Sequence, residues 1–387
     1  MPQTIEPRVP KAAPQQPPLP CPQAQTVAGD DRVAANPPQP SRRRLLFGVF
    51  YLAITAVVVC SAVEVLVRLL HLAPPLTRQY HGYVADPHLP YKPQPLSVLS
   101  GRSSSGEFDF EYQHNSFGFR DEEQAPAKPE GVFRILGLGD SFTYGVGASF
   151  DETYLHQLQD MLNRRPGAHP RVEIIKGGMP GHFPELERLL LEHYGRQFEP
   201  NLMLVAFLPN DVIDTFYGAD TLRVSKLGYL TTREAAELGE AGAWLYVHSH
   251  AARMILGKMV ASRLQKGRRD RWPEVYKPDG YHEDDWRQLE LQYEKMIQIA
   301  RSIGARIFLV HIPQKGPWEE STSYPPSRLA QWCAERGVAF VDTLPALRAA
   351  SGEATLYWDK DGHCNAAGYR VIAATLYDAL IERNLVP

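Results

Sequence analysis

The amino-acid sequence predicts an α/β fold whose parallel sheet is covered by helices on both faces. Short apolar runs that are typical of strands alternate with segments of helical periodicity. The predicted strands are Phe133–Leu138, Val172–Ile175, Leu202–Leu208, Arg306–Ile312 and Val338–Val341. The predicted helices are Glu152–Arg165, Glu185–Gln197, Asp284–Ile303, Ser327–Glu335 and Asn365–Arg383. Strands and helices in this order favour a parallel sheet joined by crossover helices.

Two segments lie outside this alternation. Residues 71–130 contain scattered Pro, Ser and Gly and are predicted to form a linker and an extended packing segment. Residues 131–387 are predicted to form the main folded domain, with an insertion at about 216–282 that carries one helix near 243–264.

The amino-terminal 44 residues are predicted to be a disordered tail. Eleven of the 33 prolines fall within the first 40 residues, and aromatic side chains are almost lacking there. Such a composition cannot bury enough apolar surface to offset the entropy lost on ordering. A Pro-rich docking motif is the alternative.

Residues 45–70 are predicted to form a transmembrane signal-anchor helix. Three arginines at 42–44 precede Leu45–Val63, 19 residues without a charge, and such a run spans a bilayer core of about 30 Å as a helix. A buried core helix would have a polar face. The apolar region of a cleaved signal peptide is usually shorter, and Cys60–Val63 is a poor cleavage site. The arginines predict a cytoplasmic amino terminus and an exported, periplasmic main domain.

Composition and cysteine usage exclude several classes of function. The formal charge is only −3 and no basic face is evident, so no nucleic-acid partner is predicted. A bridge between Cys333 and Cys364 is possible, but their spacing does not require one. His248 and His250 lack further ligand residues nearby, so no metal site is predicted.

Three predicted strand ends carry groups suited to serine chemistry. Ser141 follows the first strand, Gly178 the second and Asn210 the third. These ends open on one edge of a parallel sheet, where α/β proteins bind ligands. The N–H groups of Ser141 and Gly178 and the amide of Asn210 would make a three-donor oxyanion hole. Asp140 and Asp211 are expected to brace their loops by accepting backbone N–H groups.

A base and an acid are predicted near the carboxyl terminus. His363 is the candidate general base, and a carboxylate must reach its Nδ1–H to hold the required tautomer. Asp361, two residues earlier, is preferred because a turn can bring its carboxylate back to the imidazole. Asp359 is the alternative.

Together these blocks resemble those of the SGNH (GDSL-type) hydrolases in order and approximate spacing. Two further motifs resemble the membrane-anchored bacterial branch: Asn115-x-x-Gly118-Phe119-Arg120 and Gly362-His363-x-Asn365-x-x-Gly368. The resemblance covers about residues 110–385. It implies a three-layer, flavodoxin-like fold with about five parallel strands and a Ser141 nucleophile activated by His363. It also implies an oxyanion hole completed by Gly178 and Asn210, and no cofactor.

Three positions depart from the family pattern. Lys176 replaces the Asn that usually begins the second block, and Leu208 replaces a Gly before the third. Many family members place the acid three residues before the histidine, which here is Lys360. The first two departures predict a different arrangement of hydrogen bonds in these loops.

The resemblance and the export geometry predict an esterase for small acyl groups. The expected substrates are O-acetyl esters on envelope or exported polysaccharide, and the expected location is the bacterial inner membrane. The alternatives are an O-acyltransferase, a lysophospholipase or lipase, and a non-enzymatic carbohydrate-binding subunit. The last would predict loss of the nucleophile, the base or the oxyanion donors, all of which are present.

Overall fold

The computed structural model describes residues 42–73, 82–167, 170–219, 222–224, 230–232, 239–256, 273–278, 283–316, 318 and 323–387. The chain divides into two units, Met1–Val58 and Val59–Pro387. In the first unit, the described residues form the amino-terminal part of helix α1, which spans Arg42–Leu69. The second unit contains the remaining elements. Most of the predicted tail lies outside the described residues.

A five-stranded parallel sheet forms the centre of the second unit. Its strands are β5 (Val132–Leu138), β6 (Arg171–Lys176), β7 (Leu202–Phe207), β10 (Arg306–His311) and β11 (Ala339–Asp342). Their spatial order is β6-β5-β7-β10-β11, and every pairing is parallel. This is the doubly wound, flavodoxin-like order, so the predicted fold is confirmed. The direction in which strands are added to the sheet reverses between β5 and β7, and the crevice at such a point is where these folds bind ligands.

Helices cover both faces of the sheet. Successive strand residues point to opposite faces, so strands made of consecutive apolar residues have two apolar faces to bury. Leu136, Met203 and Leu309 belong to one buried cluster, whereas their neighbours Ile135 and Leu204 belong to the other. The first cluster includes residues of helices α4 (Pro184–His193), α5 (Asn210–Tyr217), α8 (Glu283–Ser302) and α9 (Tyr324–Glu335). The second includes residues of α3 (Tyr154–Arg164), α10 (Leu344–Ala350) and α11 (Ala366–Glu382).

Short elements occur where irregular structure was expected. In the segment before the sheet, β1 (Tyr83–Val84) pairs with β2 (Lys92–Pro93). A hairpin of β3 (Val98–Arg102) and β4 (Asp109–Gln113) follows. The hairpin was not predicted, although burial alternates along both strands: Phe110 and Tyr112 of β4 are buried while their neighbours are exposed.

The predicted insertion is described in part. It contains the pair β8 (Leu222–Val224) and β9 (Leu230–Thr232). The single helix expected at 243–264 is two helices in the described residues, α6 (Gly239–His248) and α7 (250–256), which are separated at Ser249. The rest of that predicted helix lies outside the described residues.

Helix α1 is 28 residues long, and it is the helix in the described residues that is long and apolar enough to cross a membrane. No residue of its most apolar stretch is buried. Of the three cysteines described, Cys60 lies in this helix, and Cys333 and Cys364 are buried and free. The two buried cysteines form no bridge.

Candidate active site

Ser141 lies at the carboxyl edge of the sheet, in the loop that follows β5. Strand β5 ends at Leu138, and Ser141 begins the one-turn helix α2 (Ser141–Tyr144). Asp140 caps this helix by accepting a hydrogen bond from the Phe142 N–H at 2.8 Å. A cap of this type fixes the first turn, so the Ser141 side chain is held at the mouth of the crevice.

Ser141, His363 and Asp361 form one hydrogen-bonded chain. The Ser141 Oγ lies 2.7 Å from the His363 Nε2. The His363 Nδ1 lies 2.5 Å from the Asp361 Oδ1. With its proton on Nδ1, the imidazole donates to the carboxylate and accepts from the hydroxyl, which is the arrangement that lets histidine take a serine proton.

The two candidate acids occupy different environments. The Asp361 side chain is 7% exposed and contacts the imidazole. The Asp359 side chain is 87% exposed and pairs with the Lys315 Nζ at 2.6 Å. The preferred acid is therefore the one that the structure brings to His363.

Glu107 supports the turn that carries the acid. Its carboxylate accepts four hydrogen bonds of 2.8–3.0 Å from the backbone N–H groups of Asp359, Lys360 and Asp361. Desolvation acts against ionisation of Glu107, but these donors outweigh it and lower its pKa. A charged acceptor therefore fixes three consecutive peptide groups next to Asp361.

Two backbone N–H groups of the nucleophile region are candidates for an oxyanion hole. As the first residue of a helix, Ser141 has an N–H without an intrahelical partner. The loop after β6 places Gly178 against helix α2, where an added Cβ would lie 2.6 Å from the Thr143 carbonyl carbon and the Tyr144 nitrogen. Only glycine fits this contact, and the Gly178 N–H makes no hydrogen bond within the described structure.

The Asn210 amide is oriented by two neighbours at the start of helix α5. Its Oδ1 accepts from the Gln314 Nε2 at 2.8 Å, and its Nδ2 donates to the Asp214 Oδ2 at 3.0 Å. An amide nitrogen carries two protons, so one donor is used locally and the second is left for a ligand.

The Asn115–Arg120 motif supports the nucleophile loop from behind. Arg120 is buried and donates to the carbonyls of Tyr144, Gly145 and Ala148 at 3.2, 2.6 and 2.8 Å. Its guanidinium also lies 4.3 Å from the centre of the Tyr112 ring. Arg120 thereby satisfies one carbonyl at the end of helix α2 and two in the loop that follows it.

Buried carboxyls lie behind the site. Burial raises the pKa of Asp140 to about 6, although the Phe142 N–H and His363 oppose the shift. Burial, together with the charges of Glu187 and Asp140, raises the pKa of Asp211 well above its usual range. Asp211 accepts from the Leu208 N–H at 2.9 Å. Both aspartates thus have the bracing contacts that were predicted.

The departure at Lys176 has a structural explanation. The Lys176 Nζ pairs with the Asp121 Oδ1 at 2.8 Å, and the Lys176 N–H donates to the Asp121 Oδ2 at 3.0 Å. Both side chains are almost completely buried. An ion pair with the segment before the sheet therefore tethers this loop, where the family pattern would place an asparagine.

Comparison with protein families matches residues 138–371 to the GDSL-like lipase/acylhydrolase family. The chain belongs to this family. The match covers more than half of the sequence and includes the loops of Ser141, Gly178, Asn210 and His363. Membership places the chain among the GDSL (SGNH) esterases and lipases, so the predicted superfamily is confirmed. Assignment to the membrane-anchored branch stays a prediction.

Solved structures of GDSL enzymes are also similar to this chain. TesA is 16% identical, with 64% of this chain and 97% of TesA covered and a TM-score of 0.38. A catalytic mutant of the acetylxylan esterase Axe2 from Geobacillus stearothermophilus is 12% identical, with 64% and 94% covered and a TM-score of 0.39. A lipolytic G-D-S-L family protein from Veillonella parvula is 12% identical, with 65% and 97% covered and a TM-score of 0.37. A comparison with curated proteins finds no match.

Sequence reasoning missed two residues that hold this GDSL site together. Gln314 lies just beyond β10, so the rule that functional groups follow parallel strands could have identified it. Glu107 lies in the β3–β4 hairpin, outside the sheet. No local pattern marks its contact with a turn more than 250 residues later in the chain.

Proposed function

We propose that this GDSL-family chain is a serine esterase that removes small acyl groups, chiefly O-acetyl groups, from exported or envelope carbohydrate. Ser141 is the nucleophile, His363 the general base and Asp361 the acid that orients it. The observation that carries the proposal is the continuous chain of contacts from the Asp361 Oδ1 through the imidazole to the Ser141 Oγ.

In the first half of the reaction, the Ser141 Oγ attacks the ester carbonyl carbon. Its proton passes to the His363 Nε2, and the Asp361 carboxylate stabilises the imidazolium through Nδ1–H. Collapse of the tetrahedral intermediate breaks the bond to the sugar oxygen, which takes the proton from Nε2. In the second half, water attacks the acyl-enzyme by the same route and releases acetate.

The oxyanion of each tetrahedral intermediate is held by the N–H groups of Ser141 and Gly178 and by the free Nδ2 proton of Asn210. Gln314 and Asp214 support this role by fixing the amide plane before substrate binds. Donors that are fixed in advance stabilise the transition state because they need no reorganisation during the reaction.

Helix α1 anchors the enzyme in the bacterial inner membrane in this proposal. Its length and its lack of charge between Leu45 and Val63 support a single span. The arginines at 42–44 support a cytoplasmic amino terminus, because basic residues flank spans on the cytoplasmic side. The catalytic domain then lies in the periplasm, where O-acetylated glycans are accessible.

Hydrolysis of 4-nitrophenyl esters by the detergent-solubilised full chain tests the chemistry. Ser141→Ala is expected to lower kcat by about 10⁶-fold, the loss typical of a missing serine nucleophile. Ser100→Ala, an exposed serine of β3, is the matched control and should retain full activity. Acetate should be preferred over longer acyl chains, and acetate should be released from acetylated oligosaccharides. No turnover and no labelling of Ser141 by a fluorophosphonate would refute the proposal.

A further inference from the structure

The carboxyl-terminal turns of helix α1 contact the insertion directly. The Glu64 carboxylate accepts hydrogen bonds from the Ser249 Oγ at 2.8 Å, the His250 N–H at 2.8 Å and the Ala251 N–H at 2.9 Å. These groups form the start of helix α7. A glutamate of the apolar helix therefore caps a helix of the insertion.

Neighbouring side chains on the same face of α1 extend this contact. Arg68, one turn after Glu64, pairs with the Glu64 carboxylate at 2.7 Å and donates to the His248 carbonyl at 3.2 Å. Val67 is the buried residue of α1. Residues three and four positions apart share a helix face, so this face of α1 packs on the protein.

The position of Glu64 in the sequence defines where this contact lies. Glu64 is the first charged residue after the uncharged run Leu45–Val63, and that run is long enough for a bilayer core of about 30 Å. Glu64 therefore marks the point where α1 leaves the hydrocarbon. The junction of α6 and α7 is hydrogen-bonded to Glu64 and lies at the same level.

Large apolar side chains flank this junction and are exposed. Trp244 and Leu245 in α6 are 54% and 44% exposed, and Ile255 in α7 is 55% exposed. Trp244 lies five residues before Ser249, which is about 7 Å at the rise of an α-helix. Tryptophan is enriched in the interfacial layer of membranes, where its ring is half in water and half in apolar surroundings.

We propose that α6 and α7 form a second membrane contact, in which Trp244, Leu245 and Ile255 insert into the interfacial layer of the bilayer that α1 crosses. The occupant of this surface is lipid, because the junction that it flanks is hydrogen-bonded to Glu64, the first charged residue after the uncharged run of α1. The inference depends on the anchoring role proposed for α1. A domain held by one helix can rotate about it, whereas a second contact fixes the orientation of the domain.

Quenching by brominated lipid tests this contact in the full chain. The protein is reconstituted in phosphatidylcholine–phosphatidylglycerol vesicles whose acyl chains carry bromine near the headgroup or deeper. Trp244 is one of six tryptophans, so Trp244→Phe should remove a quenchable component of up to about a sixth of the emission. Shallow bromines should quench this component more than deep ones. Trp332→Phe, in the buried core of α9, is the matched control and should leave the quenched component unchanged.

Two outcomes would overturn the inference while leaving the anchor intact. One is that wild type and Trp244→Phe are quenched equally in a chain that resists alkaline carbonate extraction. The other is that the Trp244 emission responds to protein dilution and not to bromine, which would show that a second copy of the chain covers the surface. Extraction of the wild type by carbonate would instead refute the anchoring role itself.

Discussion

The two halves of the active site are supported in different ways. The nucleophile loop is held from the interior, where buried Arg120 satisfies three carbonyls and Gly178 packs against the helix of Ser141. The turn that carries His363 and Asp361 lies nearer the surface and is held by Glu107. We infer that support of the nucleophile contributes to the stability of the fold, whereas support of the acid and base contributes mainly to activity.

Among the groups that support the nucleophile and the base, the largest effect is expected in the acid–base turn. Asp361→Asn is expected to lower kcat by about 10⁴-fold, because an amide no longer favours the required tautomer of His363. Asp359→Asn is the matched control and should leave kcat unchanged, since Asp359 contacts Lys315 and not the imidazole. Steady-state kinetics on 4-nitrophenyl acetate measure both. Equal losses in the two variants would show that Asp359 takes part in catalysis.

The interior support is tested by Arg120→Met. The substitution leaves the carbonyls of Tyr144, Gly145 and Ala148 without their charged donor, so the free energy of unfolding should fall by about 3 kcal/mol. The unfolding temperature and kcat should both fall. Arg102→Met is the control, because the Arg102 side chain is largely exposed. Loss of activity with unchanged stability would contradict an interior, structural role for Arg120.

The raised pKa of Asp140 predicts how the free energy of unfolding depends on pH. Its pKa is about 6 in the folded chain, above the ordinary value of 3.8. Between about pH 4 and 6 the folded state holds a proton that the unfolded state has released, so stability falls as pH rises through this window. The free energy of unfolding falls by about 3 kcal/mol through this group, and it stays lower at higher pH.

Asp140→Asn should therefore be more stable than wild type at pH 8 and should show a weaker pH dependence between pH 4 and 6. The asparagine Oδ1 can still accept from the Phe142 N–H, so the helix cap is retained. Chemical denaturation at pH 4, 6 and 8 measures the difference. A variant that is less stable than wild type at pH 8 would contradict the prediction.

The sequence predicts the positions of the site residues better than the contacts that hold them in place. Strand β5, its turn and Ser141 follow one another along the chain, and the strand-end rule brings Gly178 and Asn210 to the same edge. Contacts from outside the sheet could not be predicted. Glu107 has no periodic signal, and Asp121 reaches Lys176 only through the tertiary fold. Alternation of polar and apolar residues predicts which face of a strand is buried. It does not identify the distant peptide N–H from which a surface carboxylate will accept a hydrogen bond.

The smallest expected effect is the sharpest test of the comparison. The Glu107 carboxylate accepts four N–H hydrogen bonds beside Asp361. Glu107→Gln keeps the size of the side chain but removes its negative charge. A small displacement of a positioned group lowers the rate without changing the fold, so kcat should fall about ten-fold with KM and the unfolding temperature unchanged. Glu111→Gln, an exposed position on the same hairpin, is the matched control. If Glu107→Gln lowered the unfolding temperature as much as Arg120→Met, both halves of the site would be structural supports and the proposed distinction would be wrong.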